Sequence, residues 1–140
     1  MARNLLVNTI YITGFLCSMV LNKSRILVVD DEQDVLILMK HLLKREGFIV
    51  STCWNGENLD EIIRDSAPDL ILLDIKMKNV DGGELCKNIK KDPLTQSIKI
   101  VLFSSNDNVK VIARECGADG YLQKPYEAQT ARKTLEEVLH

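Results

Sequence analysis

The chain has 140 residues, of which 46% are hydrophobic and 27% are charged, and its formal net charge at pH 7 is -2. This length suits one domain with its own core and leaves no room for a second catalytic or DNA-binding unit. The small net charge offers no electrostatic reason to expect a nucleic-acid partner. Function therefore has to be sought in a local site.

The four cysteines are widely separated along the chain, at Cys17, Cys53, Cys86 and Cys116. They form no C-x-x-C pair, and no histidine lies near enough in sequence to complete a zinc site. We expect them to be small buried hydrophobic residues rather than disulfide partners. Free cysteines of this kind favour a reducing, cytoplasmic compartment.

The first part of the chain is an apolar extension. No charged residue occurs from Leu5 to Leu21, between Arg3 and Lys23. The run is shorter than the roughly 20 apolar residues of a spanning helix and contains several polar residues. No small-x-small cleavage site follows it. Residues 1–23 therefore remain open to three interpretations: a packed element or an artefact of the start site, a membrane anchor, or a signal peptide.

After the extension, strand-like and helix-like patterns alternate. The run Ile26–Val29 is short and apolar, whereas the apolar residues that follow recur at helical spacing until Gly47. The predicted elements of this half are strand 26–29, a helix ending before Gly47, strand 48–54, a short amphipathic helix before Pro68, and strand 69–74. The continuous apolar centre of the third strand is typical of a strand buried on both faces.

The second half of the chain continues the alternation. It predicts a loop at Asp81-Gly82-Gly83, helix 84–91, strand 98–103, helix 108–116, strand 120–123 and helix 128–139. Strands that alternate with helices over short connections are the signature of a parallel sheet. We therefore expect an α/β fold with a five-stranded parallel sheet and helices on both faces.

Polar side chains follow four of the predicted strands. They are the pair Asp30–Asp31, Asp74, Ser104 and Lys124. In an open α/β sheet the functional groups gather beyond the carboxyl ends of the strands, so these side chains should share one rim. Converging carboxylates repel one another unless a cation neutralises them, and oxygen ligands favour a hard ion such as Mg²⁺.

Each of these residues also has a purely structural interpretation. The acidic pair could cap the following helix. Asp74 and Ser104 could be ordinary turn residues, and Lys124 could be a solvated lysine. Four such residues at equivalent strand ends favour a common function over four independent structural roles.

In order and spacing, these residues resemble the receiver domains of response regulators in two-component signalling. The matching segments are Asp30-Asp31-Glu32, 69–77 around Asp74, Asp81-Gly82-Gly83-Glu84-Leu85, Ser104, and 117–121 leading to Lys124-Pro125. The resemblance extends from Arg25 to the end of the chain. It implies a flavodoxin-like, doubly wound receiver domain over residues 24–140.

The resemblance assigns the chemistry to particular positions. Asp74 would be the nucleophile that accepts a phosphoryl group from a phosphohistidine. Asp31, Asp74 and the backbone carbonyl of Lys76 would bind Mg²⁺ directly, and Asp30 would assist through water.

The resemblance also implies roles for the remaining rim residues and for the partners. Lys124 and Ser104 would contact the phosphoryl oxygens. Tyr121 would move inward as Ser104 closes on the phosphoryl group, and would thereby alter the surface around it. The expected partners are a sensor histidine kinase or a histidine phosphotransfer protein, and a downstream protein of unknown identity. Homodimerisation on phosphorylation is a further expectation.

Two other functions compete with this one. A domain with the same fold could act by protein contact alone, without phosphorylation. A haloacid-dehalogenase-type phosphohydrolase also uses Asp, Lys and Mg²⁺ on a parallel sheet, but it needs an Asp-x-Asp motif after its first strand, where this chain has Asp30-Asp31-Glu32. We therefore expect a phosphoacceptor signalling domain whose only catalysis acts on its own phosphoryl group, and not an enzyme.

Overall fold

The computed structural model describes residues 23–140 of the chain. This part contains seven strands and five helices. The strands are β1 (Arg25–Asp30), β2 (Ile49–Trp54), β3 (Leu70–Asp74), β4 (Lys76–Met77), β5 (Val80–Asp81), β6 (Lys99–Ser104) and β7 (Gly120–Gln123). The helices are α1 (Gln33–Arg45), α2 (Leu59–Ser66), α3 (Gly82–Lys91), α4 (Val109–Cys116) and α5 (Ala128–Leu139).

Five strands form one parallel sheet in the order β2-β1-β3-β6-β7. β1 pairs with β2 on one side, where Asp30 lies opposite Trp54, and with β3 on the other, where Val29 lies opposite Leu73. The chain thus winds from β1 to one edge of the sheet and then returns to β3. The carboxyl ends of β1 and β3 are the topological switch point, where sheets of this kind bind their ligands.

Helices cover both faces of the sheet. Leu27 and Val29 of β1 pack in a core layer with residues of α2, α3 and α4, whereas Ile26 and Val28 pack in a second layer with residues of α1 and α5. Successive side chains of a strand point to opposite faces, so a strand with two covered faces is apolar throughout. This explains the unbroken apolar runs in the sequence and confirms the predicted fold class.

The central strand β3 holds the polar rim in place. Every side chain from Leu70 to Leu73 is 0% exposed. Burying a side chain of this size contributes about 1.5–3 kcal/mol to folding, so β3 is among the most strongly anchored parts of the chain. The residue that follows this anchored run, Asp74, therefore has a well-defined position.

The cysteine prediction is confirmed for the three cysteines that the structure describes. Cys53, Cys86 and Cys116 are free and buried in the same core layer. Burial raises the pKa of the Cys53 thiol to about 11, which keeps it protonated at neutral pH. Cys17 and the proposed extension, apart from Lys23, lie outside the described residues. None of the helices between residues 23 and 140 is long and apolar enough to cross a membrane.

The predicted bounds of the strands and helices agree with the structure to within about one residue, except near Asp81. Helix α3 begins at Gly82 rather than at Glu84, because the Asp81 side chain accepts hydrogen bonds from the N–H groups of Gly83 and Glu84. An aspartate followed three residues later by a glutamate is a sequence signal for such a helix start. The predicted loop before α3 also contains the short antiparallel hairpin formed by β4 and β5.

Candidate functional site

The acidic pair lies at the carboxyl end of β1. Asp30 is fully buried, and its Oδ1 atom accepts a hydrogen bond of 2.8 Å from the Glu32 N–H. Within residues 23–140 its Oδ2 atom has no hydrogen-bond partner, and it lies 3.6 Å from the Lys124 Nζ atom. Burial raises the pKa of the Asp30 carboxyl, while the Glu32 N–H and Lys124 act in the opposite direction. A buried oxygen without a donor is costly, so this position favours a cation.

The acidic pair does not cap helix α1. The residue at the N-cap position is Glu32, and its side chain makes no capping hydrogen bond. Asp31 lies just before it and is partly exposed. Asp30 and Asp31 therefore do not make the side-chain hydrogen bonds that define a helix cap.

Asp74 lies at the end of β3, the strand next to β1. Only 6% of the residue is exposed. Its pKa is raised from 3.8 to about 6, chiefly by burial and then by the nearby carboxylate of Asp30, while Lys124 partly offsets these effects. At neutral pH the Asp74 carboxyl is therefore mostly ionised, in a poorly hydrated place beside other carboxylates.

Ser104 and Lys124 complete the rim from the next two strands. Ser104 is 2% exposed, and its Oγ atom accepts a hydrogen bond of 3.1 Å from the Asn106 N–H. The Lys124 N–H donates to the Ser104 carbonyl at 2.8 Å. The Lys124 ammonium lies 4.5 Å from the centre of the Phe103 ring and, as noted, near Asp30. The lysine side chain therefore extends from β7 across β6 towards the carboxylates.

The carboxylates suit a hard divalent cation. One oxygen each from Asp30, Asp31 and Glu32 lies within 4.8 Å of the others. Mg²⁺ prefers oxygen ligands, and the buried Asp30 Oδ2 atom, which accepts no hydrogen bond within residues 23–140, is available as one. Asp74 is not one of these three residues, but its pKa responds to both Asp30 and Asp31. Glu32 was not among the predicted site residues, although the run of three acidic residues was its signal.

Close packing of Gly82 fixes the backbone around Asp74. A Cβ atom on Gly82 would overlap the main-chain oxygen of Asp74 and would lie 2.8 Å from the Ile75 Cα atom. The Gly82 N–H also donates to the Ile75 carbonyl at 2.9 Å. The segment from β4 to α3 can therefore approach the end of β3 only because residue 82 has no side chain. Lys76, whose carbonyl is a predicted metal ligand, lies in this segment with its side chain exposed.

A family model for the response regulator receiver domain matches residues 26–136. The chain belongs to this family. It is also 34% identical over 115 residues to the alkaline phosphatase synthesis transcriptional regulatory protein PhoP of Bacillus subtilis. That alignment covers 82% of this chain and 48% of PhoP, so the chain spans about half the length of this relative.

Solved structures agree with the family assignment. A response regulator of Chloroflexus aurantiacus superposes with a TM-score of 0.78 at 28% identity, and the match covers 84% of this chain and 98% of that one. The chemotaxis response regulator CheY4 of Vibrio cholerae gives a TM-score of 0.75 at 25% identity, over 84% and 99% of the two chains. These matches confirm the predicted receiver fold.

Membership of the family establishes the general function. Receiver domains are signalling modules of two-component systems, and they interact with histidine kinases or histidine phosphotransfer proteins. They generally bind Mg²⁺ at an acidic pocket, and this chain has an acidic cluster at the end of β1.

The structure brings most of the predicted site residues together and leaves one apart. Asp30, Asp74 and Lys124 interact electrostatically, and Ser104 is tied to Lys124 through the backbone. Tyr121 lies earlier on β7, where it pairs with Leu102, and is 40% exposed. Within residues 23–140 no hydrogen bond joins Tyr121 to Ser104, so its predicted switch role stays a prediction.

Proposed function

We propose that this receiver domain is a phosphorylation-activated switch and that Asp74 is its phosphoacceptor. The observation that carries the proposal is the position of the Asp74 carboxylate, buried at the switch point of the sheet and close to Asp30, Asp31 and Lys124. A carboxylate that is ionised at neutral pH but poorly hydrated is a suitable nucleophile. The surrounding charges are of the kind that phosphoryl transfer requires.

In the proposed reaction, an Asp74 oxygen attacks the phosphorus atom of a phosphohistidine on the partner protein. A new phosphorus–oxygen bond forms, the phosphorus–nitrogen bond breaks, and the electron pair leaves with the histidine ring. The Lys124 ammonium and the Ser104 hydroxyl stabilise the charge on the phosphoryl oxygens. The aspartyl-phosphate is later lost to water, so the domain catalyses only reactions of its own phosphoryl group.

The cation has its own set of proposed ligands. Asp31, Asp74 and the Lys76 carbonyl would hold Mg²⁺ directly, and Asp30 would hold it through water. The nearby oxygen of Glu32 is a further candidate for a water-mediated contact. Held by these residues, Mg²⁺ would neutralise their charge and would coordinate oxygens of the incoming phosphoryl group.

The output would be a change in protein contacts. When Ser104 closes on the phosphoryl group, Tyr121 would move inward and alter the surface formed by α4, β7 and α5. This surface would then bind the downstream protein or a second phosphorylated copy. We assign this switch to residues 24–140, a range that includes the whole family match, and we leave residues 1–23 as a separate extension.

The proposal is tested by incubating the full chain with Mg²⁺ and acetyl phosphate, followed by intact-protein mass spectrometry and phosphate-affinity gel electrophoresis. We expect one labile phosphoryl adduct that needs Mg²⁺ and is absent in Asp74→Asn. Asp65→Asn is the matched control, because Asp65 is an exposed aspartate on α2, away from the rim. This control should be phosphorylated like the original chain.

Two results would contradict the proposal. An adduct that persists in Asp74→Asn would place the phosphoacceptor elsewhere. Failure of the original chain to form any adduct, with acetyl phosphate or with a phosphohistidine donor, would favour a receiver-like domain that acts by protein contact alone.

A further inference from the structure

Trp54 lies beside the acidic turn formed by Asp30, Asp31 and Glu32, although it belongs to a different strand. It ends β2, and its backbone pairs with that of Asp30 in the sheet. Its indole Nε1–H donates a hydrogen bond of 2.9 Å to the main-chain carbonyl of Asp31. The residue is 46% exposed, so Trp54 is not primarily a core residue. The hydrogen bond is its specific contact with the site.

The Asp31 carbonyl has no hydrogen-bond donor other than the Trp54 indole among residues 23–140. The residues on both sides are held by the protein backbone: Asp30 belongs to β1, and the carbonyl of Glu32 accepts the Leu36 N–H at 3.2 Å. Within residues 23–140 no backbone N–H donates to the carbonyl of Asp31. The indole is therefore the donor that fixes the middle residue of the turn.

The loop after Trp54 ties the backbone at the end of β2 to the end of β1. Asn55 and Gly56 both have positive φ angles, of 58° and 69°, and so turn the chain sharply after β2. The Asn55 N–H donates to the Asp30 carbonyl at 2.8 Å, which extends the pairing of the two strands one residue past Trp54. Trp54 thus projects from a backbone that is itself bonded to the acidic turn.

We propose that Trp54 is a positioning residue for the Mg²⁺ site, acting through the backbone of Asp31. This inference rests on the proposed function, in which the Asp31 carboxylate is a metal ligand. A ligand whose backbone is fixed in advance loses less conformational freedom when the metal binds. The indole donor therefore raises the affinity for Mg²⁺, although it contacts neither the metal nor the phosphoryl group.

The test replaces the indole N–H without changing the size of the ring. Trp54 is the only tryptophan in the chain, so supplying a tryptophan auxotroph with β-(3-benzothienyl)alanine changes this position alone. That analogue has sulfur where indole has N–H. Incorporation of 5-fluorotryptophan, which keeps the N–H, is the matched control. Mg²⁺ affinity is measured by isothermal titration calorimetry on the full, unphosphorylated chain, and thermal stability is measured without metal.

Loss of the N–H should weaken Mg²⁺ binding by about twofold to tenfold, as expected from the net contribution of one neutral hydrogen bond. The fluorinated control should bind Mg²⁺ as the original chain does. Trp54→Phe, made by ordinary mutagenesis, should weaken binding in the same direction.

Other outcomes overturn the inference in distinguishable ways. Equal Mg²⁺ affinity with and without the N–H would overturn it and leave the proposed function intact. A lower melting temperature without metal, combined with unchanged Mg²⁺ affinity, would show that Trp54 is merely structural. If the original chain bound no Mg²⁺, the proposed metal site would fail together with this inference.

Discussion

Aspartates at the two ends of the parallel sheet differ in how fully their oxygens are hydrogen-bonded. At the amino end, Asp69 precedes β3 and accepts a hydrogen bond of 2.7 Å from the Arg25 N–H. Asp119 precedes β7 and accepts hydrogen bonds of 2.8 Å from the Lys90 ammonium and from the Ile100 N–H. At the carboxyl end, by contrast, the Asp30 Oδ2 atom has no donor within residues 23–140, and the pKa of Asp74 is raised.

The difference separates carboxylates that stabilise the fold from those of the proposed site. A carboxylate whose oxygens are satisfied by N–H donors and an ammonium ties elements together and gains stability from doing so. A buried carboxylate that has an oxygen without a donor, or that lies beside another carboxylate, lowers stability until a cation neutralises it. Hydrogen-bond satisfaction, rather than residue type or position next to a strand, distinguishes the two ends of the sheet.

The largest expected effect comes from removing the charge of Asp74. Its pKa of about 6, compared with the ordinary value of 3.8, corresponds to about 3 kcal/mol of destabilisation at neutral pH, at about 1.4 kcal/mol per pKa unit. Asp74→Asn should therefore raise the free energy of unfolding by up to about 3 kcal/mol at pH 7 without divalent cations. Urea denaturation followed by circular dichroism measures this change.

The pH dependence of the same variant provides the control. Below pH 3.8 the Asp74 carboxyl is neutral in both the folded and the unfolded chain, so it affects stability little. Between 3.8 and about 6 the unfolded chain loses this proton first, and the stability of the original chain falls relative to Asp74→Asn. Above about 6 the difference is constant. If the difference in the free energy of unfolding between the two chains did not depend on pH, the gain would come from packing and not from the charge of Asp74.

Asp119→Ala should have a smaller effect of opposite sign. The variant removes two hydrogen bonds and leaves Lys90, whose side chain is only 18% exposed, without its carboxylate partner. We expect a loss of about 2 kcal/mol in the free energy of unfolding. Asp65→Ala, on an exposed helix surface, should change it by less than about 0.5 kcal/mol. If Asp119→Ala cost no more than this control, the satisfied network would not be stabilising.

The sequence predicted the fold around the candidate site well where local pattern determined it. The apolar run before Asp74 identified a buried strand, and the alternation of strands and helices placed the ends of β1, β3, β6 and β7 on one rim. Neither inference needed knowledge of side-chain contacts, because parallel strands in a doubly wound sheet bring their carboxyl ends together whatever their side chains.

Contacts between distant segments were beyond prediction from sequence alone. The hydrogen bond from Trp54 to Asp31 depends on the register between β1 and β2, and the close approach of Gly82 to Asp74 depends on how the β4–β5 hairpin folds back. In the sequence, Gly82 was only part of a predicted loop, and no local pattern linked Trp54 to the acidic residues. Both are tertiary contacts, which local periodicity does not encode.

The smallest expected effect is stabilisation by Mg²⁺, and it distinguishes the two ends of the sheet most directly. At a free Mg²⁺ concentration ten times the Kd, binding to the folded state alone should raise the free energy of unfolding by about 1.4 kcal/mol. Asp119→Ala should retain this gain, because Asp119 lies at the amino end of the sheet and the acidic turn lies at its carboxyl end. Asp74→Asn should retain less of it, because one ligand and much of the charge repulsion are gone. Urea denaturation with and without Mg²⁺ measures the gain, and an equal gain in both variants would mean that the cation binds away from Asp74.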